Sequence, residues 1–304
     1  MVARLVYTSD THFKSRRPLR RTDVDFFAAQ MKKLDEIVAY CIDNKVKAFL
    51  HAGDMWDVAL PEYGILNSVA ERYQKLYKAG IDCYITPGSH DLLGYRIDSL
   101  SKTGIGTLIH TGLLKTLIGP QDVHGVSFYG VPALLHHTVE PYKKIPTNYI
   151  IITHNIVTSD PVNFEHLTFK DLSFSEAGRV FLCAHYHKFF KMQVGNNYFF
   201  STGPLIRGDK NEHDHTPNIL VLDISAAGLV FNSKFINCDQ NIMDLTDKTE
   251  LGSNCISGLR DTRINFFDLF DLTKQIAQAH NVPTPVLDNA LIRLESAQRS
   301  LLDG

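Results

Sequence analysis

Strand-like and helix-like periodicities alternate through the first ninety residues, and this restricts the fold more than any other feature. Ala3 to Thr8 is a short apolar run that reads as a buried strand. Phe27, Met31, Leu34, Val38 and Cys41 then recur at spacings of three and four, which predicts an amphipathic helix over 24–44. Lys47 to His51 reads as a second strand with Gly53-Asp54 at its end. A helix follows from Pro61, a favourable first-turn residue, to Ala79, with Gly80 as its stop. Ile81 to Thr86 is the third strand. This order predicts parallel strands joined by helical crossovers.

The character changes after Leu113. Strands at 115–118, 126–131 and 148–153 have less helix between them. Residues 192–200, with a Gly-Asn-Asn turn, and 219–236, with Ala-Ala-Gly, read as β-hairpins. Two further helices are expected at 264–279 and 284–302, the second with Leu287, Leu291, Leu294 and Leu301 on one face. The expected body is therefore a mixed α/β sandwich over 1–237, followed by a small helical region over 238–304.

Composition narrows the setting. Hydrophobic content of 44% and charged content of 21% are ordinary for a soluble protein. The net charge of -2 leaves nucleic acid open as a partner, because a local basic patch is enough. Cys41, Cys83, Cys183, Cys238 and Cys255 form no Cys-x-x-Cys pair, which argues for reduced thiols and against a disulfide framework or structural zinc. The N-terminus enters a strand without an apolar leader, and no stretch is long enough to cross a bilayer. A cytoplasmic protein without a membrane segment is expected.

Polar clusters stand where the strands end. They are Asp10-Thr11-His12, Gly53-Asp54-Met55-Trp56-Asp57, Gly88-Ser89-His90-Asp91, His154-Asn155 and His185-Tyr186-His187. A single histidine after a strand is more often a surface or hydrogen-bonded group than a ligand. Five such endings are different, because the carboxyl ends of strands in an α/β sheet open on one crevice. Imidazole and carboxylate together suit manganese, iron or zinc, whereas all-oxygen sets suit magnesium or calcium. His185 and His187, two apart on an extended segment, project to one side and can serve neighbouring ions.

Asp-x-His, Gly-Asp-x-x-Asp, Gly-Ser-His-Asp, a lone His and Ala-His-x-His, in this order from Asp10 to His187, resemble the signature of calcineurin-like metallophosphoesterases. "HAGDMWD" and "STGPLIRGD" are most similar to SbcD-type nuclease subunits of double-strand-break repair. The resemblance implies a four-layer αββα sandwich and two divalent ions, with manganese the expected metal. Asp10, His12 and His187 would hold the first ion, and Asp54 would bridge. His154, His185 and Ser89 would hold the second. His90 would be the catalytic histidine, oriented by Asp57. Ser89 stands where the family has Asn, and a hydroxyl is a shorter and poorer ligand than a carboxamide oxygen. Ala184 replaces the family's glycine before the paired histidines.

The implied activity is a DNA nuclease, exonuclease with endonuclease capacity, in DNA repair, recombination or degradation. An SbcC-like ATPase of the structural-maintenance type is the implied partner, and a homodimer is compatible. Lys14, Arg16, Arg17, Arg20 and Arg21 follow Asp-x-His directly. Either they form a solvated charged face or they track a phosphate backbone beside the metals. Arg207 is a further candidate phosphate contact. His213, Asp214 and His215 read as an exposed polar loop rather than a metal site. Two alternatives stay open: a phosphatase or cyclic-nucleotide phosphodiesterase on the same scaffold, and a catalytically weakened DNA-binding subunit.

Overall fold

A computed structural model describes residues 3–174, 178–225, 228–239 and 242–246. The elements run β1 (Ala3–Thr8), α1 (Phe26–Asp43), β2 (Ala48–His51), α2 (Tyr63–Lys78), β3 (Asp82–Ile85), α3 (Gly104–His110) and β4 (Lys115–Thr116). Then come β5 (Gly119–Val123), β6 (Val126–Val131), α4 (Glu140–Lys143), β7 (Ile150–Thr153) and β8 (Val180–Cys183). Two hairpins follow, β9 (Phe189–Val194) with β10 (Asn197–Thr202) and β11 (Asn218–Ser225) with β12 (Gly228–Phe235). The expected β-α-β-α-β start is present, each helix one or two residues shorter at its ends. Asp25 caps α1 by accepting from the Ala28 amide at 2.8 Å.

The strands form two six-stranded mixed sheets, in the orders β12-β11-β1-β2-β3-β4 and β5-β6-β7-β8-β10-β9. In the first, β1, β2, β3 and β4 are parallel neighbours; in the second, β6, β7, β8 and β10 are. Alternation along β1 shows how the layers are specified. Leu5 and Tyr7 face Leu50, Phe128, Ile152 and Leu182 between the sheets. Val6 faces the other way, onto Leu34, Val38, Val69 and Tyr73 of the two long helices. Burying each such aliphatic side chain is worth roughly 1.5–3 kcal/mol. Beyond the second sheet, Tyr142 of α4 with Leu167, Phe169 and Leu172 covers Ile151, Phe181 and Phe199. The chain is thus the expected α/β sandwich, its outer fourth layer built from one short helix and turns.

The first compact unit runs Met1–Leu245. Residues beyond 237 stay with it through the Thr22 N–H donating to Ile242 O at 2.9 Å and the Asp244 N–H to Arg20 O at 2.7 Å. The helices expected at 264–279 and 284–302 lie outside the described residues. Among the described residues, no helix is long and apolar enough to cross a membrane.

Candidate metal centre

Parallel neighbours place the ends of β1, β2 and β3 on one edge of the first sheet, and those of β6, β7 and β8 on one edge of the second. The two edges meet. The His154 Nδ1–H donates to Ala52 O at 2.6 Å, and the His185 amide donates to Asp10 Oδ1 at 3.0 Å. The β1–β2 ladder continues past the strands, through Asp10 N to Gly53 O at 3.0 Å and His12 N to Asp54 O at 3.0 Å. This extension holds Asp10 (φ 48°), His12 (φ 43°) and Asp54 (φ 52°) in the left-handed region, and His185 (φ 76°) joins them from the second sheet. Two glycines let the loops touch: a Cβ on Gly88 would lie 2.2 Å from Asp54 Oδ1, and one on Gly53 2.4 Å from the Gly88 nitrogen.

Two clusters of convergent donor atoms result, Asp10/His12/His187 and Asp54/His154/His185, and a third group, His12/Asp57/His90, overlaps the first at His12. In the first, His12 Nε2 is 3.0 Å from His187 Nε2, and His187 Nε2 is 3.7 Å from Asp10 Oδ1. In the second, Asp54 Oδ2 is 3.1 Å from His154 Nε2 and 3.8 Å from His185 Nδ1. The two ring nitrogens of that cluster are 3.2 Å apart. Asp54 Oδ2 also lies 3.7 Å from His12 Nε2, so this carboxylate faces both clusters.

The electrostatics follow from burial. Desolvation drives the pKa of His12 well below that of a free imidazole, and it lowers that of His185. Burial also opposes charge on His154, but the Asp54 carboxylate outweighs it and raises the pKa to about 9. Burial disfavours the Asp54 anion too, yet attraction to His154 holds it well below the usual carboxylate range. For His187, burial is outweighed by the Glu212 hydrogen bond and by Asp10, and the pKa rises.

These residues fit a pair of divalent transition metals. Asp10 and Asp54 are buried at 0% and 1% exposure, and among the described residues only histidines pair with them. Asp10 Oδ2 is a buried oxygen without a hydrogen-bond donor. The donor set, imidazole with carboxylate, is one that manganese, iron and zinc accept. Ser89 lies beside this set, its Oγ 3.3 Å from Asp54 Oδ2. The His90 amide donates to Asp54 Oδ1 at 2.7 Å.

Several expectations need correction. The Asp57–His90 pair forms through the main chain: the His90 Nδ1–H donates to Asp57 O at 2.6 Å. The Asp57 carboxylate pairs instead with Lys14, and stands 3.9 Å from His12 Nδ1. Arg21 and Arg207, expected to meet phosphates, are buried at 2% and 0% exposure. Arg21 forms a two-pronged pair with Asp23 at 2.7 and 2.8 Å and donates to Arg207 O at 3.0 Å. Arg207 donates to His213 O at 2.8 Å and to Asp239 O. Both are structural. Arg16 and Arg17 are exposed and Lys14 and Arg20 half-buried; Arg17 donates to Asp23 O at 2.7 Å and Arg20 to Asp244 O at 3.3 Å. His213 pairs with Asp214 at 2.9 Å while His215 bonds Pro204 O at 2.9 Å, so those rings do not converge.

Three supporting residues have no role in the sequence reading. Buried Asp91 accepts from the Met55 amide at 3.0 Å and the Gly88 amide at 2.9 Å, tying the second and third strand ends together. Burial, then repulsion by Asp54, moves its pKa up to about 6. Buried His51 accepts from the Gly53 amide at 3.1 Å and bonds Thr11 Oγ1 at 3.1 Å. Glu212 accepts from His187 Nδ1 at 2.7 Å. Asp91 was visible beside His90, but nothing in the sequence linked Glu212 to a histidine 25 positions earlier.

Comparison with known proteins follows the same lines. The chain is 22% identical over 264 residues to the DNA double-strand break repair protein Mre11 of Methanosarcina mazei, covering 81% of this chain and 40% of that protein. It is 28% identical over 135 residues to the Haloferax volcanii protein of the same name, covering 43% of this chain and 28% of that one. The chain thus spans about two fifths or less of the length of these curated relatives. Among solved structures, a dimetal phosphatase from Danio rerio superposes with a TM-score of 0.52 at 10% identity, covering 78% of this chain and 99% of that one, a likeness of fold. The pattern of the calcineurin-like phosphoesterase family matches residues 3–201, which include every member of both clusters. The chain belongs to the calcineurin-like phosphoesterase family.

Proposed function

We propose that the chain is a metal-dependent phosphodiesterase that cuts DNA, an exonuclease with endonuclease capacity acting in repair, recombination or degradation. One observation carries this reading: histidines of two imidazole–carboxylate clusters approach one oxygen, Oδ2, of a single buried carboxylate, Asp54. The name of the curated relatives, DNA double-strand break repair protein, supports DNA as the substrate; an SbcC-like ATPase as partner follows from the SbcD-type resemblance of the motifs. A cytoplasmic setting fits both.

Asp10, His12 and His187 would hold one ion, and His154, His185 and Ser89 the other, with Asp54 between; manganese suits this donor set. Such a pair of ions, when bound, supplies a nucleophile from water at neutral pH and neutralises phosphoryl charge. The remaining chemistry belongs to the chain. His90 anchors its Nδ1–H on Asp57 O, so that in its imidazolium form the Nε2–H would pass its proton to the departing alkoxide, leaving the neutral ring. Lys14, held by Asp57 beside His12, and exposed Arg16 and Arg17 favour a polyanion approaching that edge. The test is digestion of end-labelled linear and closed circular DNA by the full chain with manganese. Manganese-stimulated loss of label is expected; DNA binding without cleavage would overturn the reading.

The burial of Arg21 and Arg207 shortens the basic surface and favours a second reading, a phosphatase on the same scaffold. Hydrolysis of a nitrophenyl monoester in preference to the bis-ester and to DNA would establish it.

A further inference from the structure

The segment after β10 holds a carboxylate placed against the metal centre from outside. Glu212 is 7% exposed. Its Oε1 accepts from His187 Nδ1 at 2.7 Å, while its Oε2 accepts from the amides of Gly208 at 2.6 Å and Asp209 at 3.0 Å. Both oxygens are therefore committed as acceptors. The surrounding loop is pinned at both ends by the two buried arginines: Arg21 donates to Arg207 O at 3.0 Å, and Arg207 donates to His213 O at 2.8 Å. Asp209 stiffens the turn between, accepting from the Asn211 amide at 2.9 Å in a capping box with Glu212.

From this geometry we infer that Glu212 is the positioning residue of His187: it fixes the Nδ1–H tautomer so that Nε2 points its lone pair at the first metal site. The inference rests on the metal-centre reading. A hydrogen-bonded partner on the far nitrogen sets ring orientation and raises ligand basicity, and losing it typically costs 10–100-fold in metal affinity. A carboxylate is needed here. Glutamine has one oxygen, so if that oxygen serves the loop amides, its NH2 faces His187 and forces the ring into the opposite tautomer. If the oxygen serves His187, the NH2 confronts two N–H donors. Arg21 and Arg207 thus bear on the metal indirectly, as supports of the loop that carries this carboxylate.

The test uses the full chain, labelled with 15N at histidine and stripped of metal. Long-range proton–nitrogen spectra, recorded at a pH high enough that the ring is neutral despite its raised pKa, should report His187 as the Nδ1–H tautomer in the wild type, and as the other tautomer or a mixture in Glu212→Gln. Calorimetric titration with manganese chloride should then show one of two sites weakened about 10–100-fold in that variant, with the second unchanged. Glu212→Asp keeps the charge and can still receive the loop amides, but falls a methylene short of His187, so it separates loop support from ring orientation. It should weaken the same site. A wild-type spectrum and wild-type isotherm in both variants would overturn the inference while leaving the metal centre intact. A wild type that takes up fewer than two manganese ions would instead overturn the reading beneath it.

Discussion

His154 and His187 belong to different donor clusters, and each uses its far nitrogen to fix the ring, but the fixing groups differ in kind. His154 donates to the main-chain carbonyl of Ala52, itself tied to β1 by the Ala52 amide donating to Thr8 O at 2.9 Å. His187 donates to the side chain of Glu212 on a loop that two buried arginines hold. The first support is part of the sheet and persists under any side-chain replacement that keeps the fold. The second depends on one carboxylate. The two halves of one site therefore differ in how easily substitution can damage them.

That contrast can be attacked at four points. Asp54→Asn should affect both halves most, since its carboxylate faces both clusters. Manganese affinity should fall at both sites by more than the roughly 100-fold ceiling of outer-sphere changes, and hydrolysis should vanish with it. Calorimetry showing one site intact would break the assignment of Asp54 to both. His90→Ala should lower turnover about 10²–10⁴-fold while both sites still fill, because the role proposed for it is proton transfer. Loss of manganese from that variant would make His90 a ligand instead. Arg207→Met strips two carbonyls, His213 O and Asp239 O, of their donor and should cost about 2–4 kcal/mol in chemical denaturation. The residual folded protein should lose affinity on the His187 side alone; equal loss on the His154 side would erase the asymmetry. Ser89→Asn should have the smallest effect, a several-fold tightening confined to the Asp54/His154/His185 site, because a carboxamide oxygen reaches further than a hydroxyl. An isotherm matching the wild type would show that Ser89 does not limit that site.

The same contrast explains what was legible in the sequence. Asp10, His12, Asp54, His154, His185 and His187 sit one to four residues beyond apolar runs, and parallel strands bring such positions together whatever the connecting segments do. Their convergence could be read from periodicity and motif order. Glu212 could not, because it follows a hairpin and a loop whose polar letters look like solvent-facing chain. The arginines misled for a related reason. Arg21 lies in a basic run, but Asp23 two residues on and Phe26 beneath its guanidinium at 5.1 Å allow it to turn inward. Charge runs say nothing of such tertiary partners. The Asp57–His90 link was found at the right residues and on the wrong atoms, since the sequence records side chains and the bond uses a carbonyl.

The left-handed backbone at Asp10, His12, Asp54 and His185 carries a consequence for the history of such chains. Each non-glycine residue held there costs about 1–2 kcal/mol relative to ordinary geometry, and glycine would relieve most of it. Reactivity and thermal endurance thus compete at the same four peptide units. At Asp10 and Asp54 the relief would be offset, because glycine there strips the His185 and His90 amides of their acceptors, a loss of about 1–3 kcal/mol each, so a chain released from metal binding would gain endurance at its two histidine positions first.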